Sequence, residues 1–207
     1  MVQIHSDRKA RVVIKLSFDT ATHTERGAPA MAEIEHVCEM NSFNSTLRWF
    51  NKTKSHAPET IWMSNIPLVL SASRSQDNVV PSMLLDKMGT RLNALDVDLG
   101  CDGMNHLTCG IHLHGVGDGG VLILDNEKGT ETTLVSLDSS LVSVGIASPV
   151  PTPLVVPDIH GGVHFPLVGN IWNTNYPFWY PFAEEDTSSQ FRFKWHFKKK
   201  GLKNITQ

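Results

Sequence analysis

The sequence predicts a mainly β protein: a β-sandwich or jelly-roll-like core with one or two short helices near the N-terminus. Three observations predict it. The two ends of the chain alternate apolar and polar residues with the period of a strand. From about residue 91 the chain breaks into short runs rich in Val, Leu and Ile, punctuated by Gly, Asn or Asp. The hydrophobic fraction is 41% and the charged fraction 19%, which suits a folded core and not a disordered chain.

The elements follow in order. In ARVVIKLSF, Val12, Ile14, Leu16 and Phe18 alternate with Arg11, Val13, Lys15 and Ser17, so one apolar row faces a core. DTATHTERGAP reads as a loop. Pro29 then suits the first turn of a helix, with Met31, Ile34, Val37 and Cys38 as its apolar stripe. STLRWF reads as a second short helix capped by Ser45, with Leu47 and Phe50 packing inward. IWMSNIPLVLSAS has strand composition, broken by Pro67. VPSMLLDKMG reads as one or two helical turns closed by Gly89. RLNALDVDLG, HLTCGIHLHG, GGVLILDN and TTLVSLDSSLVSVGI read as strands, with Asp96 and Asp98 on the wet face of the first. DNEKG is a hairpin turn with Gly129 left-handed. SPVPTPLVVPD must be extended. The last strand, FRFKWHFKKK, sets Phe191, Phe193, Trp195 and Phe197 against Arg192, Lys194, His196 and Lys198.

A chain of 207 residues suffices for one strand-rich domain spanning 1–207. Its segment 171–207 is aromatic and then basic, and serves as a candidate interface arm. The aromatic part holds Trp172, Tyr176, Phe178, Trp179, Tyr180 and Phe182, ring types that anchor interfaces between subunits. The basic part holds Arg192, Lys194, Lys198, Lys199, Lys200 and Lys203 with no acid among them, although the whole chain has a net charge of −3. Such a cluster suits RNA or an acidic membrane surface. Alternatively, lysines on the last strand block pairing at a sheet edge.

Cys38, Cys101 and Cys109 are odd in number and lack C-x-x-C spacing, which argues for reduced thiols and against a disulfide framework or a zinc ribbon. The N-terminus has no apolar signal-peptide core, and no apolar run reaches the length of a membrane span. A cytoplasmic or virion location is expected. GVGDGG lacks the G-x-G-x-x-G spacing that opens a helix, so no nucleotide cofactor is expected. Cys109 reads as a small buried hydrophobe and not a nucleophile, and no G-x-S-x-G elbow is present.

The stretch GIHLHGVGDGG puts His112 and His114 on one strand face, with Asp118 in the following turn. His112-x-His114 and Asp118, with Gly161 and His164 later in the chain, resemble the two metal-binding motifs of cupins. The resemblance implies one divalent transition metal held by His112, His114, Asp118 and His164. The chain departs from the cupin pattern at His106 and Asp125, where the motif has glycines, and at Ile159 and Val168, where it has proline and asparagine.

Short strands, Pro- and Asn-rich connections, the aromatic segment and the basic terminus resemble, in texture, the small coat and matrix proteins of viruses. That resemblance implies a self-associating structural protein with no catalytic residues and no cofactor. It would be a homo-oligomer touching nucleic acid or membrane through its C-terminal lysines. Two alternatives stand beside it: a cupin-like metal-dependent enzyme, and a non-enzymatic β-sandwich binding module for a host or carbohydrate partner.

Overall fold

A computed structural model describes residues 2–5, 9–55, 59–66, 81–96, 113–126, 128–148, 156–170 and 183–199. The elements are β1 (Val2–His5), β2 (Lys9–Ser17), α1 (Thr20–Arg26), β3 (Met31–Cys38), β4 (Ser42–Phe50), β5 (Glu59–Asn65), β6 (Ser82–Lys87), β7 (Thr90–Asn93), β8 (Leu113–Gly115), β9 (Val121–Asp125), β10 (Thr130–Ser136), β11 (Leu141–Val144), β12 (Val163–Asn170) and β13 (Ser189–Lys199). Two antiparallel sheets form a sandwich. The larger has nine strands in the order β1-β2-β3-β4-β13-β10-β9-β6-β7, and the smaller has four in the order β5-β12-β11-β8. The mainly β expectation is met.

The helix lies elsewhere than expected. Residues 20–26 form it, where a loop was predicted. The Asp19 side chain accepts from Thr22 N at 2.9 Å, and Gly27 closes the helix with φ 74°. The two predicted helices over residues 29–50 are the strands β3 and β4 instead. Period two divides the expected apolar stripe, with Ala32, Ile34, His36 and Cys38 on one face and Met31, Glu33, Glu35 and Val37 on the other. Cross-strand partners decide for the strand. Arg48 Nη1 lies 2.9 Å from Glu35 and 3.3 Å from Glu33, and Lys15 lies 3.4 Å from Glu33. VPSMLLDKMG is likewise the strand β6, which turns at Met88 and Gly89, both left-handed, into β7. Asp96 stands in the turn after β7 and not on a strand. The hairpin at Gly129, with φ 60°, joins β9 to β10 as predicted.

The core fills the space between the sheets. Met83, Leu85, Val121, Ile123, Leu134 and Phe193 come from the large sheet, and Val142, Val144, Val163 and Phe165 from the small one. Phe165 packs on Phe193 with ring centroids 5.5 Å apart. Each such side chain contributes roughly 1.5–3 kcal/mol on burial.

One ion pair pins the sandwich from the side. The Lys52 side chain is 2% exposed, and its ammonium donates to Gly27 O at 2.8 Å and Thr53 O at 3.1 Å and meets Glu59 Oε1 at 2.9 Å. It ties the end of β4 to the helix cap and to β5.

Candidate functional site

The glycine-rich run after β8 is explained by Asp86 of β6. The Asp86 carboxylate is buried and accepts from Gly89 N and Gly119 N, each at 3.0 Å. Asp86 N donates to Gly120 O, and Gly117 N donates to Asp86 O. A Cβ on Gly117 would stand 2.5 Å from Asp86 Oδ2, and one on Gly120 would stand 2.1 Å from Leu134 O. The glycines therefore permit a close approach between two strands. The amide of Gly119, which in a phosphate loop would cradle an anion, is occupied by a carboxylate of the chain itself.

The cupin-like residues do not come together. The register pairs Val142 with His114 and Ser143 with His164. Val142 and Ser143 are consecutive on β11, so the two histidines point to opposite faces of the small sheet. His114 lies on the inner face with the core, and His164 on the outer face. Asp118 is exposed in the turn, and His112 lies outside the described residues. His160 meets Asp158 at 2.8 Å. Among the described residues, no three His, Cys, Asp or Glu side chains are grouped to hold a metal ion. Strand parity thus separates His114 from His164, two of the ligands that the cupin resemblance implies.

His164 is itself unusual. Its Nδ1 lies 2.9 Å from Ser64 Oγ, while Nε2 is buried with no hydrogen-bond partner. Burial pushes its pKa below the usual histidine value. A Ser–His pair can generate a nucleophile when a third group stabilises the imidazolium. Among the described residues no acid is grouped with His164, and only the backbone of Gly145 and Gly161 favours its charged form against the burial.

The basic residues are also rearranged. The last strand is not an edge strand: β13 lies between β4 and β10, in the middle of the nine. Arg192 is tied to Asp138, with Nη2 to Oδ1 at 2.7 Å and Nε to Oδ2 at 3.0 Å, and the guanidinium holds the Asp138 carboxyl below its ordinary range. Lys194, Lys198 and Lys199 are exposed, with Lys198 opposite Glu131. Lys200 and Lys203, and the aromatic residues Trp172, Tyr176, Phe178, Trp179, Tyr180 and Phe182, lie outside the described residues.

The feature that sequence reasoning missed is on the inner face of the large sheet. The small sheet covers only part of that face. β12 lies over β13 through Phe165 and Phe193, and β8 is fastened near β6, where Lys87 Nζ donates to Gly115 O at 3.0 Å. On β4 and β3 the inner-face residues Ser45, Trp49 and Ala32 are still buried, and the face opens at β2. Register places Ile14, Ile34, Leu47 and Phe191 in one row, and Val12, His36, Ser45 and Phe193 in the next. Burial fades along each row toward β2: Phe193 is 1% exposed, whereas Ile14 is 44%, Leu16 46% and Phe18, just past the end of β2, 40%. The alternation of β2 was expected to face a core, yet its apolar row is half open. His36 sits inside this area, with Nδ1 2.9 Å from Ser45 Oγ and its ring stacked on Phe43 at 4.9 Å. The partly buried Cys38 follows on the same face, carries no disulfide, and shares a register row with Phe43.

No family model matches the chain, and no curated protein matches it in sequence. Solved structures do match. One is the Slr1438 protein from Synechocystis sp. PCC 6803, at 8% identity and TM-score 0.46, covering 97% of this chain and 66% of that one. Another is a GalM/aldose epimerase homologue from C. elegans, at 9% identity and TM-score 0.43, covering 96% of this chain and 68% of that one. The chain thus spans about two thirds of the length of the solved structures it matches. Neither is described as a coat or matrix protein, and the expectation of a viral assembly role is set aside. The central position of β13 and the Arg192–Asp138 pair remove part of the basis of that expectation as well. Among the described residues, no helix is long and apolar enough to cross a membrane.

Proposed function

We propose that this chain is a non-enzymatic β-sandwich binding module whose binding surface is the open end of the inner face at β2, around Ile14, Leu16 and Phe18, and whose partner is a protein surface. The observation that carries the reading is the exposure of Ile14, Leu16 and Phe18 beside an inner face that is otherwise buried. Contiguous apolar surface on a folded domain marks an interaction site. A sheet face of this composition is stable when a second layer covers it. The residues on the open rows are mostly aliphatic, which suits another protein layer better than a small polar ligand.

Hydroxyl-radical footprinting tests this. The purified chain and the chain in extract of the cells that make it are oxidised in parallel. Ile14, Leu16 and Phe18 are expected to be modified in the first sample and shielded in the second. Met88, 99% exposed on the β6–β7 turn, should be oxidised in both. Equal modification of the three residues in both samples would sink the proposal.

A further inference from the structure

The outer face of the nine-stranded sheet carries charge where the inner face carries apolar rows. Most of its cations are matched. Lys9 lies 2.8 Å from Glu39, Lys15 3.4 Å from Glu33 and Arg48 2.9 Å from Glu35, and Arg11 is bonded to Glu35 as well. Arg192 is held by Asp138. Lys194 and Lys198 on β13 differ. Both are exposed, and among the described residues neither forms an ion pair. With the exposed His196 between them they make a column on one face, one side chain at every second residue, about 7 Å apart. Register sets Asn44 beside Lys194, and Ser42 and Thr133 on either side of His196, so amide and hydroxyl donors border the column. Glu131, opposite Lys198, is the acid nearest to it in register. Lysines on a last strand can block pairing at a sheet edge. That role is closed to these two, because β13 is paired with β4 on one side and β10 on the other.

We infer that Lys194, His196 and Lys198 bind the phosphodiester backbone of a single-stranded nucleic acid lying along β13. Charge complementarity selects this occupant. On a face where the other cations are matched, the column leaves positive charge for an anion that the chain does not supply. A linear polyanion with a regular charge repeat suits a single file of evenly spaced cations, and Asn44, Ser42 and Thr133 add donors for phosphate oxygens. An acidic membrane surface calls for a broad field of cations, whereas this file is bordered on the side of β4, β3 and β2 by matched pairs. The net charge of the chain is −3, but charges beyond about 8 Å are largely screened at physiological salt, so the nearest cations decide. The column stands on the opposite face of the sheet from Ile14 and Leu16, and the inference does not rest on the protein-binding surface proposed there.

The probe is fluorescein-labelled oligouridine, titrated with the full chain and followed by fluorescence anisotropy over a range of salt. Affinity is expected to fall as salt rises, with a log–log slope of about −1.4 for two phosphates neutralised on a single strand. The variant Lys194→Gln with Lys198→Gln should weaken binding by about tenfold or more and flatten that slope. The variant Lys9→Gln with Lys15→Gln removes the same charge from the same face, but at lysines that have carboxylate partners. It should change affinity by less than about threefold. Glu131→Gln should raise affinity by about twofold or more, since it removes the acid opposite Lys198. All four lysines are exposed, so the variants keep the fold. No binding at low salt, or equal loss in the two double variants, would overturn the inference. Binding to phosphatidylserine vesicles and not to oligouridine, lost with Lys194 and Lys198, would overturn it in favour of an acidic membrane surface.

Discussion

The two halves of the nine-stranded sheet differ on the same inner face. On β13, β10, β9 and β6, the residues Phe193, Leu134, Ile123 and Leu85 are all at most 1% exposed beneath the small sheet. On β2 the alternation is as regular, yet Ile14 and Leu16 are 44% and 46% exposed. Backbone pairing is complete in both halves. What separates them is the second layer. Hydrophobic stabilisation should therefore be concentrated in one half and available for binding in the other.

The sharpest test is substitution of core rings and aliphatics in each half. Phe193→Ala is expected to destabilise the fold by about 3–5 kcal/mol, measured by urea unfolding, because it removes a fully covered ring and leaves a cavity. A loss under about 1 kcal/mol would show that the small sheet does not seal that half. Lys52→Ala comes next, at roughly 3 kcal/mol by the same measurement, since it leaves Glu59 without its partner and the carbonyls of Gly27 and Thr53 without a donor. Gly120→Ala should cost more than about 1 kcal/mol, because φ is 62° and the backbone of Leu134 fills the space a Cβ needs. At the small end, Ile14→Thr in the isolated chain should change stability by no more than about 0.5 kcal/mol. A larger loss would mean that the face is covered and not open.

pH dependence follows from the buried His164 and the half-buried His36. Burial holds both His164 and His36 below the value of 6.5 that an unperturbed histidine shows. Above about pH 6.5 the imidazoles are neutral in both folded and unfolded chains, and stability is at its full value. As pH falls, the unfolded chain takes up protons first, so stability declines until the folded histidines also protonate. Melting temperatures followed from pH 8 to pH 5 should fall on the acid side, and His164→Gln should shallow that fall. An unchanged profile in the variant would remove His164 as a cause.

Much of the sandwich was legible in the sequence. The alternation in β2 and β13, the turn at Gly129 and the extended character of β9 and β10 are local signals. Local periodicity misled at β3 and at β6, where the apolar spacing suggested helical turns and the outcome fell to cross-strand partners such as Arg48 and to the pairing of β6 with β9. The candidate metal residues show a related limit. The alternation rule put His112 and His114 on one face of a strand, but whether His164 faced them depended on the register of β11 against two neighbours. A register is a long-range quantity, and a shift of one residue would have reversed the answer. The glycine run held no local sign of its purpose, because Asp86, which it encloses, lies far away in sequence.

The amino-acid order by itself determined that the chain would be strand-rich, which side chains of β2 and β13 share a face, and where the hairpin at Gly129 would turn. These follow from steric preferences and from the two-residue repeat of a strand, both local. Only the tertiary structure decided which of those faces is covered. Ile14 and Phe193 occupy equivalent positions in two regular alternations, and one is open while the other is sealed, because a second layer is contributed by strands distant in the chain and reaches only as far as β5.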